Sequence, residues 1–218
     1  MYPTVEDLVR ANRKSGRGFT PAGEPRALTS QEFFEISCEM GWNQDNPEYR
    51  ALFEGLAKWV NDTLGVARVL EIGSGPGYLL NCLNELGMDA WGVDGNPFSR
   101  AFFVCHHPRH AHRYALDPTF SNVYQPADAF VSIEVFEHIP DEGLHNILGK
   151  VRDQVHPEYV IFSSTPYVDP NENWDLQWGH INIKQPAEWD RLFSEYGYDR
   201  TSLRPPVTEW AALYKLSK

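Results

Sequence analysis

Cysteine is scarce in this 218-residue chain, which holds Cys38, Cys82 and Cys105 and no C-x-x-C spacing. An odd count without that spacing builds neither a disulfide framework nor a zinc site, and it suits a reducing compartment. Long apolar runs are also missing. No stretch approaches the roughly 18 apolar residues of a membrane span, and residues 1–10 lack the basic-then-apolar order of a secretory leader. The expectation is a cytoplasmic protein with no membrane partner. Basic charge is the third shortage: 19 Lys and Arg stand against 30 Asp and Glu, a net charge of −11. Such a surface repels a phosphate backbone unless cations cluster locally, so nucleic acid is disfavoured as a partner. Two clusters occur, residues 10–17 and 106–113, but neither interleaves aromatics as a single-strand binding face does. They read first as solvated surface and second as a grip for a small anion. The four histidines at 106–112 have no carboxylate or thiol at ligand spacing beside them, which argues against a metal there. Internal repeats and low-complexity tracts are absent.

What remains is ordinary for a folded enzyme. The chain is 42% hydrophobic and has seven tryptophans, enough for one substantial core. A single domain, as monomer or homodimer, is expected.

Residues 66–96 organise the rest. Residues 66–72 are apolar and β-branched, as in a buried strand. Gly73-Ser74-Gly75-Pro76-Gly77 breaks the run into a tight turn that lets a ligand approach the backbone. Leu79, Leu80, Leu83 and Leu86 then share one helical face, with Gly87 as C-cap. A second strand at 90–93 ends in Asp94, where a carboxylate can accept hydrogen bonds from both hydroxyls of a ribose. Strand, glycine turn, helix, strand and terminal acid make the βαβ unit of a nucleotide-binding fold. The glycines run G-x-G-x-G, not the G-x-G-x-x-G that brings a pyrophosphate to a helix N-terminus, so a nicotinamide enzyme is the lesser alternative.

Glu71-Ile72-Gly73-Ser74-Gly75-Pro76-Gly77 resembles the first motif of class I S-adenosylmethionine-dependent methyltransferases, and Val93-Asp94-Gly95-Asn96 resembles their ribose-binding motif. The resemblance implies S-adenosylmethionine as cofactor, with Glu71, Gly73, Ser74, Gly75 and Gly77 at its methionine and ribose parts. It implies Asp94, Gly95 and Asn96 at the ribose. The run Ser132-Ile133-Glu134-Val135-Phe136-Glu137-His138-Ile139 resembles the fourth motif of methyltransferases related to ubiquinone-biosynthesis O-methyltransferases. That places Ser132, Ile133 and Glu134 beside the methyl-donor pocket, and Glu137 and His138 toward the acceptor. The implied fold is a doubly wound, Rossmann-like α/β sheet, mostly parallel, with a closing antiparallel pair at 198–203 and 209–216 and helices on both faces. Residues 64–218 are expected to form the cofactor core and residues 1–63 a helical cap.

Methyl transfer is an in-line displacement that needs alignment and a base near neutral pH. Histidine fits best. His180 and His138, with Glu137, are the catalytic candidates. His180 lies in a polar loop at 167–184 that also carries Asn171, Asn173, Trp174, Trp178 and Asn182, and a loop of that length is usually functional. Its tryptophans either wall off an acceptor or pack the loop down. Asp117, after a third strand at 114–116, could face the adenine. Glu134, Glu137, His138 and His180 together resemble the metal-binding set of small-RNA 2′-O-methyltransferases. Because Glu-x-x-Glu-His also occurs in methyltransferases that bind no metal, no metal is assigned. The expected acceptor is a small molecule methylated at O or N, such as a natural-product intermediate, an amino acid or a nucleotide sugar. The alternatives are a metal-assisted RNA 2′-O-methyltransferase and a cofactor-binding subunit without turnover.

Overall fold

The computed structural model describes residues 4–170 and 173–217, so Asn171 of the anticipated loop lies outside the described residues. A seven-stranded sheet in the order β3-β2-β1-β4-β5-β7-β6 forms the centre. Its strands are β1 (Arg68–Ile72), β2 (Asp89–Asp94), β3 (Tyr114–Leu116), β4 (Ala129–Ile133), β5 (Tyr159–Ser163), β6 (Tyr198–Arg200) and β7 (Ala212–Leu216). The first five are parallel, and β7 runs antiparallel to both β5 and β6. The chain order reverses between β1 and β4, so a crevice opens there at the carboxyl ends of the strands.

Side chains alternate across the sheet with a period of two. Leu70, Ile72, Phe130, Val160 and Phe162 pack on one face under α6 (Asp141–Lys150) and α8 (Pro186–Glu195). Val69, Ala90, Ala129, Val131 and Ile161 pack on the other face under α3 (Pro47–Trp59), α4 (Tyr78–Glu85) and α5 (Pro97–His106). The expected fold is therefore found, with helices on both faces. Alternation also fixes two polar positions. Glu71 falls on the Val69 face, and Ser132 falls on the Phe130 face.

Local chemistry explains the helix ends. Thr4 caps α1 (Val5–Ser15) in a reciprocal box with Asp7, and Gly16 closes it in the left-handed region. The cap of α2 (Ser30–Glu39) is Thr29. Thr29 has Glu32 three residues on to return its hydrogen bond, whereas Ser30 would have Phe33. α3 and α6 each run on into a π-helical turn, Val60–Leu64 and Val151–Val155, before the next strand. Leu86 does not join the inward face of α4. The helix stops at Glu85, and Leu86 at its C-cap is turned out to solvent.

The anticipated polar loop contains a short helix, α7 (Trp174–Trp178). Five residues raise no periodic signal, and so short a helix depends on tertiary packing. Trp174 and Trp178 supply that packing against Leu8 of α1 and Ile36 of α2. No helix among the described residues is long and apolar enough to cross a membrane.

Candidate active site

The glycine turn is pinned to β2, because the Gly73 and Ser74 N–H groups both donate to the Val93 carbonyl, at 2.8 and 3.2 Å. Gly73 has φ +79°, and a Cβ there would lie 2.0 Å from Cγ2 of Val135. Only glycine fits. A Cβ on Gly75 would meet nothing within 4 Å, so its backbone faces open space that a ligand can fill. Gly77 serves packing instead, since a Cβ there would strike the Phe103 ring at 2.2 Å.

Asp94 closes the turn from the other side. Its carboxylate accepts from the Gly75 N–H at 2.8 Å and from the Asn96 N–H at 2.7 Å, which leaves further lone pairs for a ribose. Burial pushes the Asp94 carboxyl up, while those two N–H groups pull the other way. Glu71 is the more exposed to conflict. It is buried, its Oε2 has no hydrogen-bond partner among the described residues, and burial with the nearby Asp94 charge pushes it up to about 8. A buried carboxyl with an unpartnered oxygen, beside open space, suits a cationic ligand, and the ammonium and sulfonium of S-adenosylmethionine are of that kind. The residues present fit that donor.

A cavity of about 830 Å³ joins this cradle to a second cluster at the ends of β4 and β5. Of the anticipated site residues it gathers Glu71, Gly73, Ser74, Gly75, Asp94, Gly95, Asn96, Ile133, Glu134, Glu137, His138 and His180. Gly77 and Ser132 do not line it. The Ser132 hydroxyl is fully buried on the Phe130 face, directed away from the cleft by strand alternation. Asp117 also stays out, because its carboxylate accepts from the Asn122 N–H of its own loop at 2.7 Å. The 106–113 cluster lies elsewhere, where His110 and Arg113 pair with Glu85 and Asp89.

In the second cluster Glu134 sits at φ +53°, in the left-handed region that non-glycine residues rarely occupy. Ser163 and Trp210 hold its carboxylate: the Ser163 hydroxyl donates to Oε1, as does the Trp210 Nε1–H at 2.9 Å. Glu137 is buried and accepts from the Ser164 hydroxyl at 2.8 Å. Burial and the neighbouring Glu134 push Glu137 up to about 8, and burial raises Glu134 as well. The Glu137 carbonyl also accepts from the Ile181 and Asn182 N–H groups, fastening the 180s loop to the site.

Both imidazoles are held in one tautomer. His138 donates from Nδ1 to the Trp178 carbonyl at 3.0 Å, and His180 donates from Nδ1 to Asp175 Oδ1 at 2.7 Å. In the neutral ring each Nε2 then carries the lone pair. The rings lie 4.8 Å apart. Burial, followed by the neighbouring His180, pushes His138 down to about 4, so it is a neutral but weak base. Glu137, His138 and His180 each bring a ligand-type atom within 4.8 Å of the others, while Glu134 is turned to Ser163 and Trp210.

Sequence reasoning missed Asp175, Ser163, Ser164 and Trp210. Ser163, Ser164 and Trp210 act through contacts between distant elements, whereas Asp175 lies five residues before His180 and left a local trace. The apolar side chains of α3 are divided between two roles. Leu56 and, just past the helix, Val60 are in the core, but Tyr49 and Phe53 line the cavity.

The family described as "Methyltransferase domain" matches residues 42–203. The chain belongs to this methyltransferase family. Among solved structures, the methyltransferase domain of bacterial CtHen1-C is 20% identical, covering 77% of this chain and 100% of its own, with TM-score 0.56. The methyltransferase SibL, solved in its apo form, is 15% identical over 99% of this chain and 71% of its own, with TM-score 0.64. Human N-acetylserotonin methyltransferase, solved with S-adenosylmethionine, is 12% identical over 99% of this chain and 61% of its own, with TM-score 0.57. At these identities the likeness is one of fold. No curated protein matches the sequence.

Proposed function

We propose that this methyltransferase moves the methyl group of S-adenosylmethionine to a hydroxyl of a small molecule held in the cavity, with His180 as general base. The observation that carries the reading is the Asp175–His180 pair opening onto the same cavity as the glycine cradle. The bound cofactor supplies a methyl group on a sulfonium, ready for in-line displacement. The chain's own residues do the rest. Asp94 holds the ribose, Glu71 faces the cationic end, and the turn backbone aligns the two. His180 accepts the hydroxyl proton at Nε2 while Asp175 stabilises the imidazolium that forms. The aromatic side chains of α2, α3 and α7 exclude water, so residues 1–63 act as a cap on the core. The likeness of residues 132–139 to O-methyltransferases of the ubiquinone-biosynthesis type supports oxygen as the acceptor atom.

Calorimetric titration with S-adenosylmethionine and S-adenosylhomocysteine, followed by a metabolite-extract methylation screen read by mass spectrometry, tests this. Asp94→Ala should weaken cofactor binding about tenfold or more, as expected for lost charge-assisted hydrogen bonds. Unchanged affinity would remove Asp94 from the ribose.

The convergence of Glu137, His138 and His180 supports a second reading, in which they hold a divalent cation beside the acceptor hydroxyl. Two bare Nε2 atoms whose Nδ1 groups are anchored have the orientation of metal-ligating imidazoles. Glu134 would have to leave Ser163 and Trp210 to join them. Activity that survives a chelator assigns His180 to proton transfer. Activity lost on chelation and restored by magnesium or manganese assigns the cluster to a metal. RNA 2′-O-methylation remains the less favoured form of this reading because of the acidic charge balance.

A further inference from the structure

The acceptor end of the cavity has a one-sided charge inventory. Its carboxyls are Glu134, Glu137, Asp169 and Asp175, and they stand with the two imidazoles among Phe33, Trp42, Trp174 and Trp178. No lysine or arginine is among the described residues that line the cavity. Three cations on the segments around it are engaged with carboxylates. Arg17 pairs with Glu39 at 2.7 Å, Arg26 with Glu32 at 2.8 Å, and Lys184 with Asp141 at 2.8 Å. Glu39, Glu32 and Asp141 do not line the cavity.

We infer that the acceptor is a ring-bearing molecule that is uncharged or cationic, and that the site rejects phosphorylated and carboxylated acceptors. The inference rests on the small-molecule reading above and narrows it. An anion entering this space would lose its hydration with no guanidinium or ammonium to replace it. It would also lie among indole and phenyl rings, whose π-faces attract cations and not anions. A cation or a neutral ring meets neither obstacle. S-adenosylmethionine itself obeys the rule, because its single carboxylate is outweighed by its ammonium and sulfonium. Nucleotide sugars and other phosphate-bearing acceptors are thereby set aside.

The test uses the full chain saturated with S-adenosylhomocysteine, in a chelator so that no metal supplies charge. Three phenols of matched shape are titrated by calorimetry: tyramine (cationic), 4-methylphenol (neutral) and 4-hydroxyphenylacetate (anionic). The expected order places the anion about tenfold or more below the other two. Trp42→Lys puts an ammonium at the partly exposed rim and should reduce that penalty at least about threefold. Anion binding as tight as that of the neutral phenol overturns the inference, and so does absence of binding by all three. The two readings fail separately. A metabolite screen without methylated product sinks the function while leaving the binding order intact. A methylated phosphate or carboxylate ester precursor sinks the charge rule and leaves the methyl transfer standing.

Discussion

Glu71 is where burial and charge collide. With its carboxyl pushed up to about 8, it is mostly protonated at neutral pH in the ligand-free protein. A bound sulfonium and ammonium favour its carboxylate, so cofactor binding should release up to one proton below pH 8. Affinity should rise from pH 6 toward 8 and level off above. Calorimetry in buffers of different ionisation enthalpy reads this, and Glu71→Gln should abolish the release. The same shift sets a stability trend of known sign. A carboxyl raised on folding contributes stability that is present below its unfolded value and lost as pH rises through about 8. The ligand-free Tm should therefore fall between pH 6 and 9, with a shallower slope in Glu71→Gln. Asp175 makes a different residue-scale case, because it works through His180. Asp175→Asn keeps the shape but lets the amide favour the wrong tautomer, so kcat should drop about 100-fold with KM little changed. An equal loss in kcat and gain in KM would instead mark a structural role.

At the scale of the element, the glycine turn separates two uses of one residue type. Gly73 and Gly75 both have positive φ, +79° and +51°. Only Gly73 has a neighbour in the way. Gly73→Ala should cost about 1–3 kcal/mol or more, from backbone strain and the clash with Val135. Gly75→Ala carries a similar backbone cost without the clash, but its methyl group points into ligand space. Thermal melting should rank Gly73→Ala as the less stable, while cofactor affinity relative to folded protein should fall in Gly75→Ala as well. Equal melting temperatures would show that Val135 yields. Legibility differs between elements for the same kind of reason. The βαβ unit was readable because its first strand is buried on both faces, its turn needs glycine and its helix keeps a period. α7 was not, because its two tryptophans matter only once α1 and α2 arrive.

Taken as a whole molecule, the protein holds two packing regimes. The sheet is clamped by large apolar clusters on both faces, whereas α1, α2 and α7 rest on the small cluster of Leu8, Ile36, Trp174 and Trp178. Trp178 stacks edge-on with Phe33 at 4.5 Å and tilts against Trp42 and Trp174 at 5.2 and 5.3 Å. Trp178→Ala removes that hub, a change on the order of 3–5 kcal/mol for a buried tryptophan. Hydrogen exchange should speed up in α1, α2 and α7 while protection in β1, β4 and β5 holds. Uniform loss of protection would mean that cap and sheet unfold as one unit.

The amino-acid order by itself determined the first βαβ unit with its glycine turn and terminal acid, and the likeness of its motifs to methyltransferases carried the rest of the sheet. That unit depends on local periodicity, on glycines that only one backbone shape accepts, and on an acid at a strand end. The tertiary structure decided the acceptor half. Asp175 orients His180, the Trp178 carbonyl orients His138, Ser163 and Trp210 hold Glu134, and aromatic side chains from three separate helices close the cavity. Apart from the Asp175–His180 pair, these hydrogen bonds and ring contacts join residues far apart in the chain, which leaves no spacing to read. Strand alternation turned Ser132 under the sheet, and the Phe103 ring claimed the space at Gly77.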